Sequence, residues 1–147
     1  MMQTSVFLTS HATIRRLFRV AETVVLEVTA TYPQMCFADE KNQPPTKEIA
    51  RFNEAYRAVA EAFVGWCEQT LAEEARGDFS AAGIGASYTF DRRIATCRME
   101  FLPDGEDEFS VRRLASLGSR RGGVRASREQ TDRWRASDLT LISPRGR

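Results

Sequence analysis

The densest run of side chains able to do chemistry is Arg112, Arg113, Arg120, Arg121, Arg125, Arg128, Arg133, Trp134 and Arg135. A guanidinium grips a phosphate or carboxylate through paired N–H bonds, and an aromatic set among such groups stacks on a base. Arg113, Arg120, Arg121, Arg125, Arg128 and Trp134 are therefore the candidate anion- or partner-binding residues. If 124–134 is a strand, alternate arginines share one face and form a basic stripe. A polyanion held there would be released steeply by salt. One aromatic and one Arg-Gly-Gly, at 121–123, make a sparse nucleic-acid signature, so that partner is the alternative reading.

The remaining reactive residues do not assemble into a device. His11 is the only histidine, and no G-x-S-x-G is present to build a Ser-His-acid site. Cys36, Cys67 and Cys97 are odd in number and contain no C-x-x-C pair, which speaks against a disulfide scaffold or a zinc site and for reduced thiols acting as small hydrophobes. Gly83-Ile84-Gly85 lacks the third glycine of a dinucleotide loop and is read as leading into a strand. Asp104, Glu106, Asp107 and Glu108 crowd a hairpin tip without the alternation of a calcium loop; they are read as edge-protecting charge. Glu73 and Glu74 sit on the polar side of a helix and suggest no acid–base pair. The expectation is a non-catalytic chain with no metal and no cofactor.

Charge is segregated along the chain. Of 147 residues, the first 111 carry 11 basic and 17 acidic side chains, the last 36 carry 10 arginines and 3 acids, and the net is only +1. The plainest partner for that arginine-rich end is the acidic remainder of its own domain; an external anion is the other. Mean hydropathy is −0.39, and no apolar run approaches the roughly 18 residues that cross a bilayer. Residues 1–12 show neither a cationic start nor an apolar stretch, so a cytoplasmic chain is expected. A single domain over 1–147 is expected too, since a chain of this length buries roughly 68–70% of its unfolded surface.

The elements that must position these groups are legible by periodicity. Pro44 and Pro45 precede Thr46, a good N-cap, and Ile49, Phe52, Tyr56, Val59, Phe63, Trp66, Cys67 and Leu71 recur at helical spacing. Arg76 in the last turn and Gly77 as stop predict a helix over 47–76, about 45 Å long at ~1.5 Å per residue. Before it, 14–20 and 24–32 alternate as a hairpin that Pro33 ends, with 34–45 a loop and 4–8 a further extended piece. After it, Ala86, Tyr88 and Phe90 predict one strand, and Ala95, Cys97, Met99 and Phe101 another. Pro103-Asp104-Gly105 predicts a turn, followed by strands over 109–117, 124–134 and 139–142, with a flexible 118–123 between the first two. Strands grouped on either side of one helix predict an α+β fold: a long amphipathic helix packed across one face of an antiparallel sheet, in two layers.

Tyr32-Pro33 closing a strand, Phe52-Asn53 and Tyr56 in the first half of a helix, the Tyr88–Phe90 and 109–111 strands, Gly122-Gly123 and Asp132-x-Trp134 resemble, in this order, the RsiV-like domain of Gram-positive bacteria. The resemblance runs over about 24–142. It implies the same α+β fold and a non-enzymatic role: such domains sit outside the membrane on an anti-sigma factor, where they bind lysozyme, and beside peptidoglycan deacetylase domains. A partner that is a cell-envelope protein or glycan is thus implied, with no contact residue carried over. Homodimerisation is expected if Phe18, Val25 and Leu114 lie outward together. With Phe52, Tyr56, Phe63 and Trp66 expected to be buried against the sheet, Phe63→Ala is expected to cost about 3–5 kcal/mol and to unfold the domain.

Overall fold

The computed structural model describes residues 7–37, 47–105 and 108–135. Strands β1 (Phe7–Val20) and β2 (Thr23–Phe37) precede a helical segment made of α1 (Lys47–Trp66), a π-helical turn (Cys67–Leu71) and α2 (Ala72–Ala82). A short α3 (Ala86–Thr89) leads to β3 (Arg93–Pro103), β4 (Glu108–Ser119) and β5 (Gly123–Arg135). The five strands form one sheet in the order β1-β2-β3-β4-β5. The fold is α+β, with a mostly antiparallel sheet and one long helix.

One pair departs from the antiparallel expectation. β2 and β3 run parallel, Leu26 opposite Arg93 through Thr31 opposite Arg98. The helix between them carries the chain back along the sheet, so β3 starts at the end where β2 started, as a parallel pair requires. Pro33 does not end β2. It lies within the strand opposite His11. β3 pairing stops at Thr31, so Pro33 occupies a stretch with a partner on one side only, where a missing N–H is tolerated.

The helix also runs past its expected end. Gly77 is helical, and the segment stops at Gly83, whose φ of 87° a side-chain-bearing residue adopts at a cost. Gly83-Ile84-Gly85 is therefore a helix stop, not the approach to a strand. Ala86, Tyr88 and Phe90 form no strand. Ala86 is buried, and the Phe90 N–H donates to the Ala86 carbonyl at 2.7 Å, while Tyr88 stands in solvent. The inward pair is four apart, a helical spacing that an alternating pattern of three residues cannot reveal. The expected extended piece over 4–6, the cap at Thr46 and the strand over 139–142 lie outside the described residues.

The core gathers Ile49, Phe52, Tyr56, Ala60, Val64, Cys67, Leu71, Ala72 and Ala75 of the helix with Leu26, Val28, Ala30, Ala95, Cys97, Met99, Phe109 and Val111 of the strands. These helix positions step by three or four, except where the π turn adds a residue; there the Ala72 N–H reaches the Cys67 carbonyl, five back. Asn53 fixes the axial position of the helix. Its side chain accepts from the Met35 N–H at 2.8 Å and donates to the Met35 carbonyl at 3.1 Å, standing in for a strand at the end of β2. Register then puts Thr13, Thr31, Thr96, Ser116, Arg98, Glu100 and Arg112 on the face away from the core. That face is mostly polar, with Leu17, Ile94, Leu102 and Leu114 set among these groups. Phe18 and Val25 are buried and, of the three, only Leu114 is outward, so the outward apolar patch that would have called for a dimer does not form.

Two members of the sequence stripe are not core. Trp66 is 52% exposed, and Phe63 is only partly buried at the edge of the cluster. Phe52, 1% exposed and in ring contact with Tyr56, Phe109 and Trp134, holds the place that periodicity gave to Phe63. In urea unfolding, Phe52→Ala should cost about 3–5 kcal/mol, and Phe63→Ala distinctly less; the reverse order would contradict this core.

Candidate functional site

The candidate residues fall in three places. Arg113 is half-buried on the helix side of β4, and its guanidinium meets the Asp132 carboxylate at 3.3 Å. Asp132 also accepts from the Tyr56 hydroxyl at 2.9 Å, and the Trp134 indole N–H donates to that hydroxyl at 2.8 Å. Trp134 further stacks on Phe109 with ring centroids 6.0 Å apart. Its indole is thus committed to the contact between helix and sheet rather than offered to a base. This Arg113–Asp132–Tyr56–Trp134 chain ties α1 to β4 and β5. One N–H, Arg113 Nε, is buried with no acceptor among the described residues.

Arg120 and Arg121 lie in the β4–β5 turn, which is pinned rather than free. The Arg121 N–H donates to Asp91 at 3.1 Å, the Arg120 N–H to the Arg92 carbonyl at 2.9 Å, and the Gly122 N–H to Ser119 Oγ at 2.8 Å. Hydrogen bonds from Ser119 and the Arg121 backbone hold the Asp91 carboxyl below its usual range. Glycine is required at 118, where a Cβ would collide with the Gly123 carbonyl.

Arg125 and Arg128 are on β5, an edge strand exposed from Gly123 to Thr131. A bulge at Leu117/Gly118 offsets Arg125 from the alternation. Arg128 faces the helix side with Ala126 and Asp132, whereas Arg133 and Arg135 face the other. The arginines therefore form no single stripe. Nor do they all meet the acids of their own domain. Arg112 pairs with Glu100 and Glu129, and Arg113 with Asp132. No carboxylate of a described residue lies within ion-pair distance of Arg120, Arg125, Arg128, Arg133 or Arg135.

Between the helix and this half of the sheet is an open cavity of about 460 Å³, lined by Phe63, Trp66 and Leu71 above and Ala95, Ala115, Leu117 and Ala126 below, with Arg128 at its rim. It exists because the helix runs nearest β2, at the other side of the sheet, and because the strands beneath it carry alanines. Beside it a polar cleft of about 300 Å³ holds Arg93 and Arg125 with Glu74 and Asp91; Arg93 is already paired with Glu74 and Asp78. This cavity has no signature in the sequence, because only register places Ala95, Leu117 and Ala126 in one row across three strands.

The buried thiols and the half-buried phenol are kept protonated, whereas the Cys36 thiol is exposed. Burial pushes the Cys67 thiol up to about 12 and the Cys97 thiol upward. Burial also raises the Tyr56 phenol well above its ordinary value, and the neighbouring Asp132 carboxylate adds to the effect. Hydrogen bonds from Arg15 and Arg112 hold Glu27 and Glu100 ionised below their usual range. His11 is exposed on β1. Among the described residues no cluster of histidine, cysteine and carboxylate could hold a metal ion, and no helix is long and apolar enough to cross a membrane.

No protein-family model matches the chain, and no curated protein matches it in sequence.

A raised phenol pKa stabilises the fold below the ordinary tyrosine value, and that contribution is lost as pH climbs through the folded value. The loss should begin near pH 10, above the range in which the raised thiols begin theirs. Tyr56→Phe should remove the part starting near pH 10 in alkaline melts. At neutral pH the same variant should cost about 1.5–3 kcal/mol through the lost bond to a carboxylate and an unpaired indole N–H.

Proposed function

We propose that this chain is a non-catalytic binding domain of the RsiV-like type, an amphipathic helix laid across one face of the sheet in two layers. Its partner is an anionic component of the cell envelope, a glycan or an acidic protein surface. The observation that carries this reading is the exposed strand β5 with its turn, where no carboxylate of a described residue lies within ion-pair distance of Arg120, Arg125, Arg133 or Arg135. Uncompensated guanidinium groups raise the local potential and favour an incoming polyanion. Arginines along an edge also keep that edge from pairing with a second copy, since like charges meet.

The non-catalytic part of the reading is supported by the state of the reactive groups. A nucleophilic cysteine is a thiolate in electropositive, accessible surroundings, whereas Cys67 and Cys97 are buried and kept protonated. A general base needs a pKa near the working pH and a free lone pair, whereas both Asp132 oxygens are engaged by Tyr56 and Arg113. For nucleic acid, the alternative, the basic groups suffice for phosphate contact, but Trp134 has its face and its N–H occupied.

Calorimetry on the whole chain at physiological salt, with an anionic wall glycan, with lysozyme and with duplex DNA, tests this. Binding of the glycan should weaken by about an order of magnitude in an Arg120→Glu/Arg125→Glu/Arg133→Glu variant and fall steeply with added salt. Heat from DNA alone would move the assignment to nucleic acid, and no heat with any of the three would remove it.

A further inference from the structure

We infer that the cavity between the helix and β3–β5 is a binding site for a small amphiphile: an aliphatic or aromatic monocarboxylate, its apolar body under Trp66 and its head group on Arg128. This goes beyond the envelope reading and does not need it. Four features of the molecule meet here. The volume, about 460 Å³, lies in the range of small-molecule sites, roughly 300–1,000 Å³. The walls are mostly aromatic and aliphatic, with Ser116 and Ser127 the neutral polar members, and Trp66 on them is 52% exposed. The floor is kept low by Ala95, Ala115 and Ala126 on three neighbouring strands, although larger residues stand farther along the same strands: Met99, Val111 and Trp134 close the sheet's other end. The last feature is charge. Among the described residues no carboxylate lines the cavity, and none lies within ion-pair distance of Arg128 at its rim.

An apolar hollow with one unpaired guanidinium selects a ligand of matching construction. Its body removes Trp66, Phe63 and Leu71 from water. Its head accepts the paired N–H bonds that Arg128 does not spend on the protein. A singly charged head is matched because one cation is on offer; the second cation nearby, Arg113, is already held by Asp132. The adjoining cleft does not compete, since Arg93 is paired there with Glu74 and Asp78 and Arg125 faces the Asp91 carboxylate.

Trp66 reports the binding directly. Octanoate and octanol, which share a body and differ in charge, are titrated against the whole chain while tryptophan emission is followed. Octanoate should produce a saturable blue shift that Trp66→Phe abolishes, and octanol should bind about tenfold more weakly. Arg128→Gln should bring octanoate down to the level of octanol while leaving octanol unchanged, which also shows that the variant is folded. Ala115→Leu, which fills the floor, should remove both. Octanoate binding that survives Arg128→Gln, equal binding of the two probes, or no saturable change overturns the inference. The Arg120→Glu/Arg125→Glu/Arg133→Glu variant keeps Arg128 and should bind octanoate as the parent does, so failure of the envelope reading and failure of this one are told apart.

Discussion

Where the long helix rests on the sheet decides most of what this molecule is. Phe52, Tyr56, Ala60, Val64, Cys67 and Leu71 leave water together with the inner residues of β2 and β3. At roughly 25 cal/mol per Å² of apolar surface, that burial is the dominant favourable contribution to the fold. It is not directional, and an apolar stripe on its own would slide. Asn53, paired with both backbone groups of Met35, and Tyr56, hydrogen-bonded to Asp132, turn a greasy contact into a fixed one. Both anchors lie in the first three turns of α1, while at the other end Arg93 of β3 holds Glu74 and Asp78 of α2.

That placement is lateral. The helix follows β2, and the five-stranded sheet extends well beyond it toward β5. Near the first turns of α1, Phe109 and Trp134 are large enough to bridge the gap. Farther along, alanines replace them and the gap remains open. The opposite face of the sheet bears threonine, serine and paired charges, including Thr13 with Thr31 and Thr96 with Ser116. The two faces therefore divide the work: one is satisfied by its own hydrogen bonds and by water, and the other holds both the core and the unfilled space.

Charge follows the same division. Arg15 and Arg112 find Glu27 and Glu100 across neighbouring strands, Arg92 reaches Glu27 from just before β3, and Arg98 pairs with Glu100 along its own strand; these largely exposed pairs contribute little to stability individually. The last strand has arginines in excess of the acids within reach. Among the described residues this follows from position: β5 pairs with β4 alone, so half the cross-strand pairings made by the central strands are not made by it.

What the sequence determined by itself was whatever depends on local period and turn chemistry: the hairpin of β1 and β2, the helix beginning at Lys47, the return through Pro103-Asp104-Gly105 and the strands on either side of the turn at 120–122. Each is set within a dozen residues by steric preference and the spacing of apolar groups. What only the tertiary structure decided is what depends on residues far apart. The parallel pairing of β2 with β3, the place of Pro33 inside a strand, the run of the helix past Gly77 and the exchange of Phe63 for Phe52 as the deep residue all follow from where the helix lands. A period of 3.6 names a stripe but not which part of it meets a strand. The arginines were visible as a composition; that Arg113 is spent on Asp132 and Arg128 is not was settled by register, because a neighbouring position on a strand points to the opposite face.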